Sequence, residues 1–381
     1  MRTLSRPARA RHREGGQILV VAAAAMLTMI AGVALVVEAG NAYAHQRVSQ
    51  NAADSMANAG ATVLAERLGG ANWLTDVEVA AAMDGMRDAN DIDTYEAFYT
   101  NVTGGMLASD GSETTVEANA IKVGSGAIPP GTQGVRVTGD QEFGTTFARA
   151  LGFTTFTASA KATAVTGALT GGQFLPIVFP VSLADCDGSG TLVETIDSPW
   201  RMSNPGDPHP DGQEWLVPLC KTGSGSFMFL DLDDDLSCEE EVITPPRVAF
   251  DTFPAYVNTD TGADCQKKVF EAIIAKDLTG KVVTIPVCDV DCSTTGGSTG
   301  QYKIARIAGF FVDYVAFQNG GKAPACEYTS SPNYGTDIIN IVDGNGSSAC
   351  IAGWFVRYVT SGPVGSGNIA AGEAIGVQLI R

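Results

Sequence analysis

A run of 20 residues without a charged side chain, from Ile18 to Val37, constrains this chain more than any other feature of its sequence. As an α-helix the run would be about 30 Å long, which matches the hydrocarbon core of a bilayer. Residues 1–16 carry five arginines and one glutamate, whereas the whole chain of 381 residues has a formal net charge of −18. Arginines that flank an apolar span stay on its cytoplasmic side. The sequence therefore predicts a cytoplasmic basic tip (1–16), a single-pass transmembrane anchor and an extracytoplasmic C-terminal part.

The residues that follow the anchor predict that the same helix continues. Neither a proline nor a double glycine occurs between the apolar run and Gly69-Gly70. One helix over residues 17–68 would be roughly 75 Å long. Small side chains at helical spacing on its outer half, the stalk, predict a face against which the protein's own head or a neighbouring helix packs. The residues assigned to this face are Ala44, Val48, Ala52, Met56, Ala59 and Val63.

A secretory signal peptide is the alternative interpretation of the N-terminus. The stretch "NAYAH" offers an A-x-A-like site that ends at Ala44. However, the apolar run exceeds the usual h-region of about 7–15 residues, and Glu38 would fall in the cleavage region. We therefore expect a retained anchor rather than a cleaved signal.

The helix also carries a motif that is similar to that of a known family. After "GGQ" and the apolar run come "EAGNAY" (38–43), an arginine at position 47 and "QNAADSMANAGA" (50–61). This pattern resembles the N-terminal segment of TadG-like proteins, which belong with the TadE/TadG group of Flp (tight adherence) pilus-assembly proteins. The resemblance covers about 50 of the 381 residues. The matching residues are Glu38, Gly40, Tyr43, Gln50, Asn51, Ala52, Ala53 and Asp54.

The resemblance implies a function that rests on association and not on catalysis. It implies a pilin-like or minor-pilin-like component of Flp pilus assembly, anchored in the bacterial cytoplasmic membrane. The partners implied are the membrane and other pilus-assembly or pilin-like proteins, contacted through the helix and the extracytoplasmic head. The alternative is an anchored cell-surface binding protein or adhesin that recognises a ligand with its C-terminal β domain. Nucleic acid is not an expected partner of so acidic a chain, because phosphate binding needs a positive surface.

The rest of the chain predicts an α+β fold in two parts. In residues 71–166 we expect a pilin-like α+β module, with one helix capped by Asp76 and a short one in "TTFARALG". Its strands are expected in "YEAFYTNV", "TTVEANAIKV", "GVRVTG" and "FTTFTASAKATAV". Residues 174–381 hold several apolar segments separated by Gly, Ser, Asn and Pro, which is typical of a β-sandwich or barrel, and one helix in "DCQKKVFEAIIAKDL". The expected fold is a long transmembrane pilin-like helix, a small α+β module and a mainly β, disulfide-bonded domain.

The disulfides are expected because all eight cysteines lie in the predicted β domain. An even number of cysteines confined to one region predicts disulfides formed in an oxidising compartment. Buried free thiols and a zinc site are the alternatives, but no CxxC pair occurs and the three histidines are widely separated. The disulfide candidates are Cys186, Cys220, Cys238, Cys265, Cys288, Cys292, Cys326 and Cys350.

Two loops of the C-terminal part carry candidate metal-binding or catalytic residues. In "DCDGSGTLVETID", Asp185, Asp187 and Ser189 occupy positions one, three and five of an EF-hand-like loop, which makes them candidate ligands of a structural calcium ion. Position twelve lacks the usual glutamate, and a solvated acidic turn explains the same residues. "GGSTG" around Ser298 matches a serine-hydrolase pattern, but it precedes a strand, and the available base, His209, lies among prolines. We therefore predict no enzymatic activity and no other cofactor.

Overall fold

The computed structural model of this protein describes the chain from residue 15 to residue 180 and separate segments beyond it. The calcium candidates Asp185, Asp187 and Ser189 lie outside the described residues, as do Ser298 and His209. Five of the disulfide candidates also lie outside them, namely Cys186, Cys220, Cys238, Cys292 and Cys326. The described residues are 15–180, 215–217, 229–232, 247–250, 252–258, 265–288, 300–318, 348–356, 358–365 and 373–380.

The N-terminal helix α1, Gly15–Leu68, is continuous over 54 residues. It runs without a break through the stretch from Glu38 to Tyr43, so the prediction of one long helix is confirmed. Within the part of the chain that the structure describes, α1 is the one helix long and apolar enough to cross a membrane, and none of its apolar window is buried. The side chains of its first half, such as Leu27 and Leu35, are exposed, whereas the second half packs on the remainder of the protein.

The chain after α1 is mostly β, with two further helices among the described residues. The helices are α2 (Asp76–Ala89) and α3 (Cys265–Ala275). The strands are β1 (Thr94–Thr100), β2 (Met106–Leu107), β3 (Glu113–Thr114), β4 (Gly134–Gly144), β5 (Thr155–Leu169), β6 (Gly171–Gln173), β7 (Phe179–Pro180), β8 (Trp215–Val217), β9 (Arg247–Ala249), β10 (Ala255–Asn258), β11 (Lys281–Cys288), β12 (Gln301–Gln318), β13 (Ser348–Val356), β14 (Val359–Ser361), β15 (Val364–Gly365) and β16 (Ile375–Ile380).

The sheet that carries α1, called the head sheet here, has eight strands in the described residues. Its order is β14–β16–β5–β4–β1–β2–β3, and β15 pairs with β5. The hairpin of β4 and β5 is antiparallel and pairs Gly134 with Val165 at one end and Gly144 with Thr155 at the other. Its two strands present small or branched side chains to α1 on alternate residues, because successive side chains of a strand point to opposite faces. The buried members are Val135, Val137, Ala158, Ala160, Ala162 and Ala164.

Helix α2 lies against α1 and begins with a capping box. The N-cap is Thr75, and Glu78 accepts hydrogen bonds from the backbone N–H and the hydroxyl of Thr75, each at 2.6 Å. The expectation that Asp76 would cap this helix was therefore wrong. Asp76 is the first helical residue, and its carboxylate is buried in a network of its own.

Two further local predictions in the head were also wrong. The segment "TTVEANAIKV" is not a strand beyond Thr114, because a 3-10 turn at Glu117–Asn119 interrupts it. The segment "TTFARALG" contains a 3-10 turn at Ala148–Leu151 instead of an α-helix. Gly152 ends this turn in the left-handed region with φ of 95°. A single short turn of this kind replaces a helix where few residues separate two long paired strands.

A second sheet is built from the C-terminal part of the chain. In the described residues it has six strands in the order β7–β11–β12–β13–β8, with β10 pairing with β12. Helix α3 packs on β12, and the shared core contains Val269, Ile273, Tyr302 and Phe310. Cys288, at the end of β11, is buried in this core.

The end of the chain returns to the head sheet. Strand β16 pairs with β5 from Ile375↔Ala168 to Ile380↔Thr163, and β14 runs parallel to β16. Both strands belong by sequence to the range predicted as the C-terminal β domain, 174–381, yet by hydrogen bonding they complete the sheet of the preceding module. A small apolar cluster joins the two sheets where they meet and consists of Leu169, Phe174, Ile307 and Ala374.

Candidate functional site

The outer half of α1 buries one narrow face, called the docked face here. Its residues recur at alternating steps of three residues and one residue, so neighbouring members share a face and the stripe winds slowly around the helix. Almost all have small side chains, so the helix lies close to the alanine-lined surface of β4 and β5. The docked face consists of Ser49, Ala52, Ala53, Met56, Ala57, Gly60, Ala61, Leu64 and Ala65.

The docked face only partly coincides with the face expected from the sequence. Ala52 and Met56 are fully buried as expected, but Ala44 and Val48 are exposed. The assigned residues mostly followed steps of four. Because a helix has 3.6 residues per turn, each such step rotates the face by about 40°. The docked face advances by the same net four residues, so both stripes turn around the helix together. They differ near the apolar run because the head contacts the neighbouring positions His45 and Ser49 instead of Ala44 and Val48.

Gly60 lies where α1 approaches both α2 and the head sheet closely. A Cβ atom at this position would lie 3.0 Å from Sδ of Met83 in α2 and 3.0 Å from Cγ2 of Val135 in β4. Ordinary contacts between such atoms need about 3.5–4.0 Å. The absence of a side chain at Gly60 therefore allows three elements to meet.

The half of the stalk nearer the apolar run is attached by polar contacts, called the polar clamp here. Its members donate hydrogen bonds from their side chains to backbone carbonyls of the β4–β5 hairpin. They are Asn41 to Gly144 (3.3 Å), Gln46 to Ser159 (2.8 Å), Ser49 to Ala158 (3.3 Å) and Gln50 to Lys161 (3.1 Å).

The polar clamp covers an edge of β5 that β16 leaves open. Strand β16 ends opposite Thr163, whereas β5 begins at Thr155. The N–H of Leu169 donates to Ala374 on the β16 side, and every second residue of a strand points to the same edge. The carbonyls of Lys161 and Ser159 therefore face the open edge. Side chains of α1 satisfy them in place of a neighbouring strand.

His45 adds an aromatic contact to the polar clamp. Its ring stacks on that of Phe143 with 4.3 Å between the ring centroids and an interplanar angle of 6°. Its Nδ1 lies 3.0 Å from Oε1 of Gln141. The histidine that a signal-peptidase cut would place at the mature N-terminus is thus an integral part of the helix–sheet contact.

Glu38, the acidic residue directly after the apolar run, holds the loop between β4 and β5. Its carboxylate accepts hydrogen bonds from the backbone N–H of Thr146 (3.1 Å) and of Phe147 (3.0 Å). No sequence pattern indicated this contact, because Glu38 is 108 positions from Thr146 and an acidic residue at this point is explained equally well as the end of the apolar run. Glu38 connects the end of that run to the head.

The other motif residues divide into two groups. Ala52 and Ala53 lie on the docked face, and Nε2 of Gln50 donates both to the Lys161 carbonyl and to Oδ1 of Asp54, the latter at 2.9 Å. Gly40, Tyr43 and Asn51 instead lie on the exposed side. Tyr43 is 63% exposed, and its ring lies under the guanidinium group of Arg47, whose Cζ is 5.6 Å from the ring centroid. The structure therefore brings half of the motif against the protein's own head and leaves the other half accessible.

A buried carboxylate fixes the loop beside α2. Oδ1 of Asp76 accepts hydrogen bonds from the Tyr99 hydroxyl (2.5 Å) and the Gly124 N–H (2.8 Å), and Oδ2 accepts one from the Gly126 N–H (2.6 Å). Burial, together with the bond to Asp76, raises the pKa of Tyr99. Nearby, burial raises the pKa of Tyr95 to about 12. These groups have partners inside the protein, so we assign them to the packing of the head.

Comparison with known proteins does not identify a family or a function for this chain. No protein-family model, curated protein or solved structure matches the chain. Among the residues that the structure describes, no group of three or more His, Cys, Asp or Glu side chains is arranged to hold a metal ion. The calcium site expected at Asp185, Asp187 and Ser189 stays a prediction.

Proposed function

We propose that this protein is a membrane-anchored, non-enzymatic, pilin-like component of Flp pilus assembly. The observation that carries the proposal is the division of α1 at Glu38, with a bare apolar half before it and a half packed on its own head after it. The motif that resembles TadG-like proteins lies across this division. In this proposal the basic tip is cytoplasmic, and the head is extracytoplasmic.

The geometry also supports a choice of association surface. The docked face is occupied by the protein's own head sheet, so a second helix has no access to it. The exposed surfaces of α1 are the apolar run and the side that carries Tyr43 and Asn51. We therefore assign helix–helix contacts with other pilus-assembly proteins to residues 18–37 within the bilayer, and contacts outside the bilayer to the head.

The disulfide-bonded β domain is part of the same proposal. Cys288 is buried beside Ile285 and Val287 in the core of the second sheet, and in this proposal it forms a disulfide. Such a disulfide would form in an oxidising compartment, in agreement with an extracytoplasmic location for this part of the chain. Peptide mapping under non-reducing conditions would identify which cysteines are paired.

Co-purification from cross-linked bacterial membranes tests the proposal. We expect the full-length protein to retain pilus-assembly membrane proteins and Leu27→Arg to lose them, because a charge at mid-membrane opposes insertion. Leu68→Arg places the same charge at the exposed end of the helix and is the matched control. If surface ligand binding by the cells persists while no pilus protein co-purifies even with the wild type, the protein is an anchored adhesin and our assignment is wrong.

The mature N-terminus provides a second test that is independent of partners. Peptide sequencing that begins at or near Met1 supports a permanent anchor, and a start at Gln17 supports a processed, polymerising pilin. A start at His45 would remove the apolar run together with Glu38 and refute the anchored function altogether.

A further inference from the structure

The loop between β4 and β5 exposes aromatic side chains at the point where α1 leaves its apolar run. We call residues 144–155, together with the following Phe156, the rim loop. Phe147 is 41% exposed, Phe153 is 59% exposed and Phe156 is 38% exposed. Three exposed phenylalanines close together form an apolar patch, which on a soluble surface normally indicates a contact site.

The rim loop is held in a defined conformation. The hydroxyl of Thr145 donates to the carbonyl of Phe153 at 2.5 Å, and the N–H of Phe153 donates to Ala148 at 3.1 Å. The ring of Phe156 meets that of the buried Phe143 edge-on at 6.2 Å and that of Phe153 at 6.3 Å. The phenylalanines are therefore presented outwards by a braced loop whose base is fixed to the head.

The height of the rim loop relative to a bilayer follows from Glu38. Glu38 comes directly after Val37, the last residue of the apolar run, and its carboxylate lies 3.0 Å from the N–H of Phe147. The loop is thus level with the outer end of a segment whose length matches the hydrocarbon core. Tryptophan and tyrosine concentrate at this level of membrane proteins, where the hydrocarbon meets the headgroups, and phenylalanine is among the residues that interfacial segments bury there.

Two further side chains fit the same interface. Arg149, in the 3-10 turn of the rim loop, is exposed and carries the charge that lipid phosphates attract. Tyr43, which is 63% exposed, lies five residues beyond Glu38, a rise of about 7.5 Å along the helix. Its position places an aromatic ring slightly above the rim loop.

We propose that the rim loop inserts Phe147, Phe153 and Phe156 into the headgroup–acyl boundary of the bilayer that α1 spans. The inference rests on the anchor of the proposed function and adds a second point of membrane contact beside the helix. The patch then has lipid as its occupant, because the loop is bonded to the residue at which the apolar run ends. Two contacts fix the tilt of the head above the membrane, whereas the helix alone leaves the head free to tilt.

Tryptophan quenching in proteoliposomes tests the inference with the full-length protein. Phe153→Trp and, as a second reporter, Phe147→Trp are reconstituted in phosphatidylcholine brominated on the upper acyl chain. The wild-type spectrum is subtracted from each. Val116→Trp is the matched control, since Val116 is similarly exposed (53%) and lies beside the short strand β3. Val33→Trp reports on the apolar run, where Val33 is 61% exposed.

We expect the two rim-loop reporters to be blue-shifted and quenched several-fold more strongly than Val116→Trp, at a level approaching that of Val33→Trp. Strong quenching of Val33→Trp with rim-loop reporters no more quenched than the control would overturn the inference and leave the anchor intact. A blue shift without lipid quenching would also overturn it, because a protein surface such as a second copy would then cover the loop. An unquenched Val33→Trp would refute the anchor, and the inference with it.

Discussion

Replacing Gly60 with leucine tests whether the close approach of α1 to its own head holds the head together. A Cβ atom added at Gly60 would lie 3.0 Å from side-chain atoms of both Met83 and Val135, and leucine adds three more carbon atoms beyond it. Overpacking of this kind costs about 1–3 kcal/mol. Leucine in a helix is more favourable than glycine by somewhat less than about 1 kcal/mol, which offsets part of that cost. We therefore expect a net loss of about 1–2 kcal/mol in the free energy of unfolding of the head.

The loss is measurable as a shift in thermal unfolding of the full-length protein in detergent, followed by circular dichroism. At about 2–4 °C per kcal/mol for a domain of 150–250 residues, Tm should fall by about 2–8 °C. Gly40→Leu is the matched control in the same helix, because a Cβ at Gly40 meets nothing within 4 Å. The control should unfold at or above the wild-type temperature. The packing argument fails if the two variants behave alike, or if Gly60→Leu is as stable as the wild type.

Three further predictions concern the contacts of the stalk and the head. Glu38→Ala should speed amide exchange at Phe147 about tenfold, since losing its charged acceptor costs about 1.4 kcal/mol or more, and unchanged exchange would refute the contact. Tyr99→Phe should cost about 1–3 kcal/mol at pH 7 in chemical denaturation, because its buried carboxylate partner loses a donor. The pKa of Tyr99 in the folded protein is raised above the unfolded value of 10.0, so its contribution to folding stability is present below pH 10 and is lost as the pH rises beyond it. Tyr99→Phe should therefore lose less stability than the wild type above pH 10. An identical loss in both proteins would contradict this. Gln46→Ala should lower stability by about 0.5–1.5 kcal/mol by leaving a β5 carbonyl without its donor, whereas Asn51→Ala on the exposed side should have no effect; equal effects would contradict the polar clamp.

The two halves of α1, before and after Glu38, place different requirements on their side chains. Before Glu38 the side chains need only be apolar, because every position meets the same surroundings when a helix is bare. After Glu38 each position is either on the docked face or away from it. Small residues on that face, such as Ala53 and Gly60, are needed for close packing and are not interchangeable with larger apolar ones.

The sequence alone was sufficient for the long elements of this protein, although not for the cap of α2 or the short turns of the head. The length and continuity of α1 follow from an uncharged run and from the lack of a proline between Pro7 and Pro129, and both are properties of neighbouring residues. The strands β1, β4 and β5 were predicted for the same reason, since alternating apolar and polar residues lie next to one another in the chain.

What the sequence could not decide are the contacts between distant segments. Which side of the stalk is buried depends on where the head sheet lies, and near the apolar run it contacts His45 and Ser49 in place of the expected Ala44 and Val48. The bond of Glu38 to Phe147 and the return of β16 to β5 join residues more than 100 and 200 positions apart. Such pairings are selected by the packing of the whole molecule, because many other segments have the same local pattern. The chain's own residues therefore determined a long helix followed by a mainly β region, and the tertiary structure decided which surface of that helix stays available for a membrane or a partner.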